Sequence, residues 1–107
     1  MNKHRSVDKP VAFHGKIVFE FFNNEDEEFK ARSLRSLSKE VRKEFNVSCV
    51  VVEEHMVANP ERGTLAVSLC AGGHDQGKAV LDKVMAFFDE KAPARIVLDE
   101  FEEADIL

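Results

Sequence analysis

The stretch from Phe29 to His55 constrains the fold more than any other part of the chain, because two periods meet in it. Up to Phe45 the apolar residues Leu34, Leu37, Val41 and Phe45 recur at helical spacing. From Val47 they give way to a short valine-rich run. A helix therefore hands over to a strand at Asn46, and everything else must pack around that joint.

The flanking segments complete the pattern. Val11 to Phe22 alternates, with Val11, Phe13, Ile17, Phe19 and Phe21 on one side, and reads as a half-buried strand. Asn24 with Glu27 resembles a capping box, and Glu25 to Glu28 place acids on the positive end of the first helix. Val47–His55 is a second strand. Gly63–Cys70 is a third, joined to it by a hairpin through Asn59-Pro60. Asp75 is placed to cap a second helix running to about Glu90, before Pro93. Ala94–Phe101 is a fourth strand, followed by acids.

The order predicts an α+β fold: a ferredoxin-like β-α-β-β-α-β sandwich, with a four-stranded antiparallel sheet and two helices on one face. At 107 residues this is one domain spanning 11–107, preceded by a polar tail, 1–10, expected to be disordered. No stretch approaches the length of a membrane helix, and the amino terminus lacks the apolar run of a signal peptide. Cys49 and Cys70 are then expected to be reduced thiols on opposite sheet faces, in a cytoplasmic protein.

Gly72 to Lys78 matches G-x-x-x-x-G-K, but Ala79 stands where a phosphate loop needs a hydroxyl for Mg²⁺, so a plain strand-to-helix turn is the preferred reading. His14, Cys70 and His74 could converge at one end of the sheet, yet their spacing fits no zinc pattern. The carboxylates cluster in runs typical of solvated faces. No catalytic constellation, metal site, cofactor or small-molecule ligand is expected, so the chain is read as non-enzymatic.

Two surfaces carry the functional expectations. In a chain of net charge -5, the first helix concentrates Lys30, Arg32, Arg35, Lys39, Arg42 and Lys43. That face would suit RNA or an acidic partner; with no aromatic interleaved for stacking, it would contact backbone rather than read bases. On the sheet face away from the helices, Val18, Phe22, Val50, Val52, Val97 and Phe101 would form an apolar interface, suited to a homodimer or another partner.

Leu34-Arg-Ser-Leu37, Val41-Arg-Lys-Glu-Phe-Asn-Val-Ser48, Arg62-Gly-Thr-Leu-Ala-Val67 and Val80-Leu-Asp-Lys-Val84 resemble the YlxP-like family of small bacterial proteins of unknown function. The likeness runs from about Val11 to Phe101 and is densest at the helix-to-strand joint. It implies a ferredoxin-like fold and no established activity. Family genes often lie beside those of translation-initiation and ribosome-maturation factors, which implies by association a role near the ribosome or RNA. The chain departs from the family pattern where acids precede Glu28-Phe-Lys-Ala-Arg-Ser33, and where Met56 to Pro60 replaces a tryptophan-bearing segment.

Overall fold

Alternation and amphipathic periodicity produce one layer of strands under one layer of long helices. The computed structural model describes residues 8–22 and 26–107. Its elements are β1 (Val11–Glu20), α1 (Glu27–Glu44), β2 (Ser48–Val51), α2 (Glu53–Ala58), β3 (Arg62–Ala71), α3 (His74–Lys91) and β4 (Arg95–Asp105). The expected tail falls mostly outside the described residues.

The four strands form one antiparallel sheet in the order β2-β3-β1-β4. β1 and β2 run parallel with β3 between them, and β3 and β4 run parallel with β1 between them. Each long helix therefore connects two parallel strands separated by a third, rather than direct neighbours. The element order also differs from the expected β-α-β-β-α-β, because a third, short helix interrupts the hairpin.

That interruption corrects the second strand. Val47–His55 was expected to be extended, but β2 holds only Ser48–Val51, and Glu53–Ala58 coil into α2. Valine-rich patterning carried the strand as far as Val52, whose N–H still donates to the Thr64 carbonyl at 3.0 Å. Beyond it, Glu53 and Glu54 favour a helix start, where negative charge meets the positive end of the helix.

Asp26 caps α1, accepting from the N–H groups of Glu28 at 2.9 Å and Phe29 at 3.3 Å. The expected capping residue Asn24 lies outside the described residues. Asp75 does not cap α3, whose cap position is Gly73, two residues earlier. Gln76 closes that corner by accepting the Gly72 N–H at 2.8 Å.

The core lies between sheet and helices. Ile17 and Phe19 of β1, with Phe21 just beyond it, meet Leu34, Leu37 and Val41 of α1 and Val84 and Phe88 of α3, with Leu65 and Val67 beneath. A smaller cluster of Val11, Phe13, Leu69 and Leu81 extends it toward the far end. Gly77 lets α3 approach the sheet: a β-carbon there would collide with the Phe13 ring.

β4 is longer than expected, since the acids after Phe101 continue the strand to Asp105. Its register shifts between Val18 and Phe19 of β1, which pair with Leu98 and Ile96 and leave Val97 as the extra residue of a bulge. One extra residue reverses which side chains face the helices from that point on. This overturns the placement of Phe101, which pairs with Gly15 and packs against both core clusters instead of joining the open face.

Candidate functional site

Helix α1 buries Leu34, Leu37, Ser38 and Val41. At about 100° per residue, the positions opposite that stripe are Arg32, Lys39 and Lys43, which form a straight crest in solvent. All three are exposed, and none has an ion-pair partner among the described residues. Arg42 flanks the crest and donates from Nε to the Ser38 carbonyl at 3.1 Å. Arg35 leans toward α2, where its Nη2 reaches both carboxylate oxygens of Glu53 at 3.1 and 3.2 Å.

Lys30 does not belong to this face. Its side chain is fully buried, at 0% exposure, on the same stripe as Leu34, Leu37 and Val41. Its ammonium donates to the carbonyls of Met56 at 2.9 Å, Asn59 at 2.9 Å, Pro60 at 3.2 Å and Arg62 at 3.1 Å. A buried charge requires such partners, and these four carbonyls leave none of its donors idle. Burial still pushes its pKa below the ordinary lysine value, with Glu27 partly opposing that shift. The residue therefore holds the carboxyl end of α2 and the start of β3 onto α1. The sequence carried a signal for this: Lys30, Leu34, Leu37 and Val41 recur at i, i+4, i+7 and i+11.

The expected apolar interface is broken up. Val18 is buried, Val97 sits in the bulge and Phe101 turns to the helix side. Val50 and Phe22 remain well exposed, at 60% and 59%, and Leu98 adds an unanticipated apolar surface at 41%. Val52 is half-buried. Charged rows cross the same sheet face. Glu20 bridges Arg95 at 2.7 Å and Arg62 at 3.7 Å, and Lys16 meets Glu100 at 3.5 Å. Phe22 lies under the Arg95 guanidinium, 5.0 Å from its ring centre.

His14, Cys70 and His74 do not converge. His14 faces Glu102 on the open side. His74 caps the opposite side, its Nδ1 2.6 Å from Glu103 and its ring 6.1 Å from Phe13. Among the described residues, no group of three or more His, Cys, Asp or Glu side chains could hold a metal. Cys49 is buried and Cys70 exposed, both as free thiols; burial pushes the Cys49 thiol pKa up. In the glycine-lysine motif, Gly77 serves packing against Phe13, and Lys78 pairs with Asp82 at 3.7 Å. No helix among the described residues is long and apolar enough to cross a membrane.

The chain is thus an α+β protein with one helix-covered sheet and a solvent-facing basic crest. A family model described as "Protein of unknown function (DUF503)" matches residues 30–100, well over half of the chain, which therefore belongs to that family. No curated protein matches. Among solved structures, the chain is similar to "De novo designed protein Ferredog-Diesel", with 14% identity over 98% of this chain and 93% of that chain, at a TM-score of 0.39. A likeness that loose leaves the fold to rest on the strand pairing itself.

Proposed function

We propose that the chain is a non-enzymatic binding protein that docks on the phosphate backbone of structured RNA, such as ribosomal RNA, through the crest of α1. The observation that carries this reading is the line of Arg32, Lys39 and Lys43, unpaired among the described residues and aimed straight away from the core. Elsewhere in this acidic chain Lys16, Arg62, Lys78 and Arg95 are matched by carboxylates. Cations left unpaired along one helix, with no aromatic among them, suit phosphate contact rather than base stacking.

The test is binding of a hairpin RNA measured across a salt series. Replacing Lys39 and Lys43 with Glu should abolish most binding, and single Gln variants should lower the salt slope by about 1 each. Unchanged binding in the double variant would refute the reading.

A second reading, a homodimer formed through the open sheet face, draws support from exposed Val50, Phe22 and Leu98. A clean monomer by light scattering at roughly tens of micromolar would set it aside. We further read the architecture as ferredoxin-like with an inserted helical turn, which the two interleaved β-α-β units support. Val41 to Ser48, at the α1–β2 joint, supports placing the chain in the bacterial YlxP-like group. Two unbridged thiols fit a cytoplasmic setting.

A further inference from the structure

Beside the crest, α1 and the carboxyl end of α3 enclose a groove of about 340 Å³. Arg32, Ser33, Ser36 and Glu40 line it from one side, and Lys91 and Pro93 from the other. We propose that this groove seats a single phosphodiester group of the bound nucleic acid, between the Arg32 guanidinium and the Lys91 ammonium. The inference rests on the crest reading and adds to it a defined phosphate seat that reaches a second helix.

Three features point to that ligand chemistry. Cations arrive from two different helices, so an anion between them would be held from both sides and not merely attracted to a charged surface. Lys91 lies in the last turn of α3, where the partial negative charge of the helix end favours an ammonium in that position. The Ser33 hydroxyl has no hydrogen-bond partner among the described residues and supplies a neutral donor.

The charge balance selects among anions. Two cations and the carboxylate of Glu40 leave the groove with one net positive charge, which matches the single negative charge of a phosphodiester. A terminal phosphate dianion would be undercompensated and would face Glu40. That carboxylate is engaged by the Ser36 hydroxyl, which donates to it at 2.9 Å. Neither Arg32 nor Lys91 has an ion-pair partner among the described residues, so neither must leave a carboxylate to take the phosphate.

Lys91 separates the groove from the crest, because it sits on α3. Lys83 is also exposed on α3 but lines a different groove, shared with Glu44 and Phe45, and serves as a control for net charge. The experiment measures hairpin RNA binding across a salt series for Lys91→Gln, Lys83→Gln, Lys39→Gln and Glu40→Gln. In parallel, amide shifts of the wild-type protein are followed by NMR during titration with the dinucleoside monophosphate UpU and with inorganic phosphate.

The seat predicts that Lys91→Gln weakens RNA binding several-fold and lowers the salt slope by about 1, that Lys83→Gln leaves both unchanged, and that Glu40→Gln tightens binding. UpU should shift the amides of Ser33, Ser36 and Lys91 more than inorganic phosphate does. If Lys39→Gln weakens binding and Lys91→Gln does not, the crest reading survives and the seat is overturned. If UpU shifts the groove but the hairpin does not bind, the seat stands and the crest reading fails. No shift with UpU together with no effect of Lys91→Gln overturns the seat outright.

Discussion

The two edges of the sheet solve the same problem in opposite ways. β2 and β4 each present one unpaired side to solvent, which invites pairing with another chain. β2 is apolar, and it is kept to four residues and closed off by its own surroundings. Since Val52 bonds inward to Thr64, the alternation of an antiparallel ladder points the backbone groups of Cys49 and Val51 outward. The Ser38 hydroxyl of α1 takes the Cys49 carbonyl at 3.0 Å, and α2 turns the chain away before the edge can lengthen. β4 runs for eleven residues and relies instead on charge, with Asp99, Glu100, Glu102, Glu103 and Asp105 spread over both of its faces. An apolar edge is protected by being short and covered, and a long one by being charged.

This contrast can be broken at either edge. The largest effect is expected at β2. Lys30→Met removes the ammonium from four carbonyls, of which Asn59 keeps only the Arg62 N–H, and frees α2; it should cost about 3 kcal/mol or more in denaturant unfolding. Hydrogen exchange should rise first over residues 53–61 and leave β1 protected. Uniform exchange throughout the chain would show that Lys30 holds the whole fold and not the edge.

At β4, Gly15→Val should cost about 2–3 kcal/mol, since a side chain there would drive into the Glu100 carbonyl and the Phe101 ring. Its signature is loss of exchange protection in β4 ahead of β2. Ser38→Ala should cost about 1 kcal/mol by leaving the Cys49 carbonyl without its buried donor. It should also raise the tendency to self-associate, measured by sedimentation.

The smallest effect is in pH dependence. The folded pKa of Lys30 lies below 10.5, so the unfolded chain binds more protons between the two values. Stability of the wild type relative to Lys30→Met should therefore rise as pH increases through that alkaline window. Because Cys49 is present in both proteins, its own opposite contribution cancels in the difference. A gap that narrows with pH would mean that the ammonium is favoured by its carbonyls more than burial disfavours it.

Much of this is legible in the sequence. The alternation of β1 and β3, the stripe of α1 and the joint at Asn46 needed only periodicity, and they placed the core nearly residue by residue. The crest cations Arg32, Lys39 and Lys43 were legible for the same reason. The groove beside them was not, because Lys91 is distant in sequence and comes to line one groove with Arg32 only once the two helices pack side by side.

Local pattern thus determined which faces of β1, β3 and the two long helices are buried, since each depends on spacing within one element. Tertiary structure alone decided three further matters. A single bulge at Val97 sent Phe101 to the covered side, because parity along a strand is lost when one residue is inserted. The hairpin became a helix at Glu53. Its carbonyl ends found a buried ammonium in Lys30, on a different element. The same packing removed Lys30 from the basic face and left Arg32, Lys39 and Lys43 as its exposed line. A charged residue is read from sequence as solvated, and only the convergence of four distant carbonyls makes its burial affordable.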